Sequence, residues 1–222
     1  MGEVIITLLP VDCLRTHLWE AERLLPAARF SKMMRYRQEA DRLRCFASSL
    51  LLQKAAQGRS VSYNEEGKPL AEGLFFNLSH SGAYAVLAEA DNAVGVDIEE
   101  MVPLGGWVRE ALTSQEYAWM LQGEDETVRQ ERFYRLWTRK ESLVKCEGHG
   151  FSSAPGEIST LPVAETQLTD YLGKTYGIGS LNLGGYMLSA ALQGEQPRLR
   201  RRDLSWQEIT GDKAIHSKSA LV

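Results

Sequence analysis

The stretch "GVDIEE", Gly95 to Glu100, sets three carboxylates within four residues directly after an apolar run. Like charges this close are costly unless water, a cation or a basic partner neutralises them. Alternate residues of a strand share a face and lie roughly 6.5–7 Å apart. Asp97 and Glu99 can then converge on one hard cation while Val96 and Ile98 enter the core, or they can simply be solvated. Magnesium suits such a pair, because it takes one or two protein carboxylates together with water and phosphate oxygens. In "WTRKESLVK", Trp137, Glu141 and Lys145 stack at i, i+4 spacing on a helix. That is either a surface Glu–Lys pair beside a core Trp, or a third carboxylate with a cation able to neutralise phosphate. "NLSHSG" reads as a turn between apolar strands, offering Ser79, His80 and Ser81 with turn amides that suit phosphate, or a turn that only caps itself. No G-x-S-x-G elbow marks a nucleophilic serine. Lys68 in "GKP" and a basic run, Arg29, Lys32, Arg35, Arg37, Arg42 and Arg44, add cations suited to phosphate or to a solvated helix face.

The elements that must position these residues follow from periodicity. "EVIITLLPV" has strand composition, and helices are expected over Leu18–Leu25 and Phe30–Gln57. "LFFNLSHSGAYAVLAEADNAVGVDIEE" reads as three strands of a meander. "WVREALTSQEYAWMLQG", with a Thr113-Ser114 start signal, and "VRQERFYRLWTRKESLVKCEG" read as helices. "YGIGSLNLGGYMLSAALQG" and "RLRRRDLSWQEIT" read as strands. Helix followed by strands occurs twice, which predicts an α+β chain of two similar halves, 1–103 and 104–210, with a polar tail at 211–222.

At 222 residues and 44% hydrophobic composition the chain can bury a substantial core, and a net charge of −4 speaks against a general nucleic-acid binder. Three separated cysteines exclude a disulfide framework or a CxxC zinc site. The N-terminal apolar run is too short for a signal peptide or membrane span, so a cytoplasmic location without membrane association is expected. No G-x-x-x-x-G-K-[ST] loop is present, and four unpaired histidines do not suit a two-metal phosphodiesterase.

Taken in order, "YNEEGKP", "FNLSHSG", "VGVDIE" and "WTRKESLVK" closely resemble the signature series of the 4′-phosphopantetheinyl transferases, in the long, surfactin-synthetase-type branch. The likeness spans about residues 29–150. One departure is Ala47-Ser48, where the family often carries Leu-Gly or Ala-Gly. The resemblance implies the family's pseudo-twofold α+β fold, active as a monomer. It also implies transfer of the phosphopantetheine arm of coenzyme A to a serine of an apo acyl or peptidyl carrier protein, releasing adenosine 3′,5′-bisphosphate. Asp97, Glu99 and Glu141 then resemble ligands of Mg2+ or Mn2+, and Glu141 or a water it orients resembles the base. Lys145 would neutralise the transferring phosphate, His80 and Ser79 would meet coenzyme A phosphate, and Lys68 and Arg44 would hold its 3′-phosphate, with Arg29 and Lys32 as additions. Arg132, Arg135 and Arg139 can either meet an acidic carrier protein or simply line an exposed helix face. A non-catalytic carrier or coenzyme A binder is the competing class, against which the three carboxylates and Lys145 argue.

Overall fold

Four layers stack in the order helix, sheet, sheet, helix, and the reason lies in the alternation of the strands. A computed structural model describes residues 1–150 and 154–211. In chain order it contains β1 (Gly2–Pro10), a 3-10 segment over Val11–Glu20, α1 (Ala21–Leu24), α2 (Ala27–Met34) and α3 (Glu39–Ala56). Then come β2 (Ser62–Tyr63), β3 (Pro69–Leu70), β4 (Phe75–Ser81), β5 (Tyr84–Ala90) and β6 (Val94–Glu100). They are followed by α4 (Val108–Ala111), α5 (Ser114–Leu121) and α6 (Glu126–Glu147). The chain continues through β7 (Thr166–Tyr171), β8 (Lys174–Asn182), β9 (Tyr186–Gln193), β10 (Pro197–Asp203) and α7 (Trp206–Thr210).

One four-stranded sheet has the order β10-β1-β5-β4 and the other β6-β9-β8-β7. Val4, Ile6, Leu8, Val86 and Ala88 on the first meet Val96, Ile98, Leu188 and Ala190 on the second, forming a buried core between the sheets. The opposite face of the first sheet, with Leu9, Ala85 and Leu87, is covered by Phe46, Leu50 and Leu51 of α3. The opposite face of the second is covered by α6, whose Leu143, Val144 and Cys146 pack on Ile178 and Ala191. The chain is α+β, as its pattern predicts. Among the described residues no helix is long and apolar enough to cross a membrane.

The start signal at Thr113 forms a full capping box with Glu116, which satisfies two otherwise orphaned amides. Asp125 caps α6, its side chain accepting the Val128 amide at 2.9 Å, and Gly148 ends the helix at φ 98°.

Several expectations need correction. The helix over Phe30–Gln57 breaks between α2 and α3, because Gln38 is extended (φ −86°, ψ 139°) and acts as the N-cap of α3. The Leu18–Leu25 helix is split: its start belongs to the 3-10 segment that ends at Glu20, α geometry covers Ala21–Leu24, and Leu25 is extended. "NLSHSG" is not a turn: Asn77 to Ser81 lie within β4, and the turn starts at Gly82. The three-strand meander stops after two, because β6 leaves β5 and pairs antiparallel with β9. In "RLRRRDLSWQEIT" the strand ends at Asp203, where a Ser205–Glu208 capping box starts α7. Strand pairing also crosses residue 103. β6 joins the sheet of the C-terminal strands, and β10 returns to pair in parallel with β1. Apart from Gly211, the predicted tail lies outside the described residues.

Candidate active site

The site forms where α6 presses on β6, and a glycine permits that approach. A Cβ built on Gly95 would lie 2.0 Å from the Ser142 carbonyl oxygen and 2.3 Å from the Cys146 nitrogen. Gly95, Asp97 and Glu99 share a strand face by alternation, so the same contact that seats α6 on Gly95 brings its Glu141 and Lys145 over the carboxylates.

Lys145 Nζ stands 2.5 Å from Asp97 Oδ1. Ser79 Oγ donates to the same oxygen at 2.9 Å, and Lys145 Nζ also donates to Ser79 Oγ at 3.3 Å. Asp97 is buried, and its second oxygen, Oδ2, has no hydrogen-bond partner among the described residues. A buried carboxylate oxygen left unpaired is costly. Burial raises the Asp97 pKa, while the Lys145 ammonium and its hydrogen bond pull it back. Burial alone would lower the Lys145 pKa, but Asp97, Glu141 and Glu99 outweigh it, so the net direction is up.

Glu99 is pushed up to about 7, first by burial and then by the charge of Asp97, against a hydrogen bond from Ser81 Oγ to its Oε2 at 2.8 Å. Burial also raises Glu141, with Lys145 opposing. A divalent ion would relieve both strains, the bare Oδ2 and the crowded charge. Among the described residues no three His, Cys, Asp or Glu side chains form a ready-made cage. The donor set therefore fits an ion held by one or two carboxylates with other oxygens completing its shell.

Glu141, Val144 and Lys145 line a cleft of about 290 Å³ with Lys68, Pro69 and Asn77. Lys68 Nζ donates to the Lys145 carbonyl at 2.6 Å, so this cation sits at the C-terminal end of α6, where the helix dipole favours it. Asn64 holds the "NEEGKP" turn in place: its Oδ1 accepts the Lys68 amide and its Nδ2 donates to the Gly148 carbonyl, both at 2.7 Å. Burial lowers the Lys68 pKa.

His80 points away from the carboxylates by strand alternation. Desolvation of its ring, then the charges of Arg44 and Lys145, hold its pKa below the ordinary imidazole value. Arg44 pairs with Asp41 at 2.5 Å and donates to the Gly82 carbonyl at 3.4 Å, beside the β4–β5 turn. Ser79 does not share the face of His80: it is buried against Asp97. Arg29 Nε donates to Ser49 Oγ at 2.9 Å, on α3.

Arg139 is not an available carrier contact. It is fully buried, with Nε on Ser180 Oγ at 2.8 Å, Nη1 on Gln167 Oε1 at 2.7 Å and Nη2 on the Ala164 carbonyl. The helix face that carries it turns toward β8 rather than solvent. Arg132 donates to the Trp119 carbonyl at 2.6 Å and covers that residue's ring.

Sequence reasoning missed the neighbouring pair of Lys140 and Glu116, both fully buried with Nζ 2.6 Å from Oε2. Lys140 also donates to the carbonyls of Ala111 and Pro155 at 2.8 Å. Glu116 accepts the amides of Thr113 and Thr160 at 2.9 Å. This network pins α5 and the 155–160 segment to α6 just before Glu141. Asn77 was missed as well, and Ser81, read with Ser79 and His80 as part of a turn suited to phosphate, instead engages Glu99 and the Glu100 amide from a strand.

The model of the 4′-phosphopantetheinyl transferase superfamily matches residues 93–186. The chain is 36% identical over 136 residues to 4′-phosphopantetheinyl transferase AcpT of Salmonella typhi, covering 57% of this chain and 70% of that protein. It is 37% identical over 95 residues to 4′-phosphopantetheinyl transferase Sfp of Bacillus subtilis (strain 168), covering 41% of this chain and 42% of that one. With the human L-aminoadipate-semialdehyde dehydrogenase-phosphopantetheinyl transferase it shares 30% identity over 168 residues, 72% of this chain and 53% of the relative.

Proposed function

This chain belongs to the 4′-phosphopantetheinyl transferase superfamily, and we propose that it moves the phosphopantetheine arm of coenzyme A to a serine of an apo acyl or peptidyl carrier protein. The observation that carries this is the joint at β6 and α6. There Asp97, with one oxygen bare, meets the Lys145 ammonium while Glu141 lines the adjoining cleft.

In the proposed reaction the serine oxygen bonds to the β-phosphorus, the one bearing the pantetheine arm. The bond from that phosphorus to the bridging oxygen breaks, and adenosine 3′,5′-bisphosphate leaves. Glu141, whose basicity is raised by burial, accepts the serine proton, directly or through one water. Lys145, kept cationic by its three carboxylate neighbours, offsets charge on the transferring phosphate. Lys68 at the end of α6, and Arg44 with the His80 ring beside the β4–β5 turn, bind the nucleotide phosphates. One or two of Asp97, Glu99 and Glu141 would hold Mg2+ or Mn2+ directly, with other oxygens completing the shell, and the ion would supply charge to neutralise the pyrophosphate. The protein acts as a cytoplasmic monomer.

The test is intact-protein mass spectrometry of a panel of apo carrier proteins incubated with coenzyme A, magnesium and this protein, beside a chelator control. A metal-dependent gain of one phosphopantetheine is expected, lost in Asp97→Ala and in Glu141→Ala. Near-normal turnover by either variant at saturating magnesium overturns the metal assignment. No gain on any carrier, with coenzyme A binding intact, moves the protein to the non-catalytic binders.

A further inference from the structure

β4 and β6 lie side by side, yet β4 pairs only with β5 and β6 only with β9 among the described residues. Side chains from alternate residues of β4 join them. Asn77 Oδ1 accepts the Val96 amide at 2.9 Å, and Ser79 Oγ donates to Asp97 Oδ1 at 2.9 Å. Ser81 Oγ donates to Glu99 Oε2 at 2.8 Å and accepts the Glu100 amide at 3.1 Å. Partners advance in the same direction on both strands, so the seam is parallel and built without a backbone ladder.

The end of the seam is clamped. Tyr186 Oη accepts the Ala83 amide at 2.9 Å. Gly82 has φ +49°, and a Cβ on it would lie 2.3 Å from Tyr186 Oη and 2.5 Å from Glu100 Oε2. With no Cβ, and a left-handed φ that glycine adopts readily, the turn sits against Tyr186 and Glu100 without displacing their side-chain ends, which sets the height of Ser81 over β6.

We propose that Ser81 is a positioning residue for the divalent cation site. By engaging Glu99 Oε2 and the Glu100 amide together it fixes the carboxylate rotamer and leaves Oε1 for the ion. Ser79 does the same for Asp97, occupying Oδ1 and leaving Oδ2 bare. One hydroxyl per carboxylate thus selects which oxygen is free. The inference rests on the proposed transferase reading. It goes further in assigning Ser81, whose hydroxyl is committed to Glu99 and the Glu100 amide, to the metal rather than to a phosphate.

The test is direct binding of Mn2+ to the full chain in the presence of coenzyme A, followed by loss of the free-ion signal in electron paramagnetic resonance. Outer-shell partners of metal ligands typically hold about 10- to 100-fold in affinity, so Ser81→Ala should weaken Mn2+ by about 10-fold or more. Ser81→Thr keeps a hydroxyl and should recover most of the loss, whereas Ser81→Val, of the same shape without one, should not. Unchanged affinity in a folded Ser81→Ala protein overturns the assignment. If that variant does not fold, the Thr and Val pair decides, and equal affinities overturn it. Absence of saturable Mn2+ binding by the unsubstituted protein overturns the metal reading beneath it. Binding by that protein and unaltered binding by the variants overturns Ser81 alone.

Discussion

Gly95→Ala tests whether close packing of α6 on β6 is what assembles the site. The added methyl would start 2.0 Å from the Ser142 carbonyl oxygen and 2.3 Å from the Cys146 nitrogen, both backbone atoms that cannot rotate away. Ordinary contact begins near 3.4 Å, so helix and strand must part by about 1.4 Å in an interior packed as densely as a crystal. Applied to the 2.5 Å contact of Lys145 with Asp97, a shift of that size exceeds hydrogen-bond range unless the side chain follows. Overpacking of this kind costs about 1–3 kcal/mol. For a chain of this size each kcal/mol lowers Tm by about 2–4 °C. A misplacement of about 1 Å can remove about 100-fold in rate. Urea denaturation and single-turnover transfer to a carrier protein read the two effects separately. Gly106→Ala serves as the control, since nothing lies within 4 Å of its added Cβ. If Gly95→Ala retains both the denaturation midpoint and the transfer rate of the parent, the close approach is not what positions Lys145 and Glu141.

Lys140→Met leaves Glu116 buried without its cation and should cost about 3–5 kcal/mol in urea denaturation; a loss below about 1 kcal/mol would contradict the buried pair. Cys146, pushed up to about 12 by burial, should resist thiol reagents at pH 8 until denaturant is added. Because the unfolded thiol ionises near its ordinary value of 9.0 and the folded one does not, this group's contribution to stability should fall as pH rises past that value. Prompt native labelling of all three cysteines would refute it. The His80 ring should titrate by NMR with a midpoint below 6.5. Since the unfolded chain then takes up the proton first, stability from this group is complete above that pH and is lost as pH falls through it. A midpoint at or above 6.5 would refute the assigned environment.

The sequence by itself determined which of the candidate residues share a strand or helix face. Asp97 and Glu99 alternate with Val96 and Ile98, and that period of two holds whatever the sheet pairs with. The i, i+4 rise likewise puts Glu141 and Lys145 on one side of α6, and the Thr113 signal marked a helix start that the structure reproduces. These are local properties, set by backbone geometry within a few residues. Ser79, Ser81 and Asn77 were visible as polar residues, but placing them in a turn concealed their common strand face.

Only the tertiary structure decided what those faces meet. β6 could have continued the meander beside β5. It pairs instead with β9, about ninety residues away, and β10 returns to β1. Such pairings depend on burial of whole faces, here Val96 and Ile98 against Val4 and Ile6, and no short window encodes that balance. The same holds for Lys145, whose partner is Asp97 across the Gly95 contact as well as its helical neighbour Glu141. Arg139, placed by sequence on a solvent face, is buried because β8 covers that side of α6. Spacing fixed the local direction of each side chain; the packing of two sheets and one helix around Gly95 fixed which of them became neighbours.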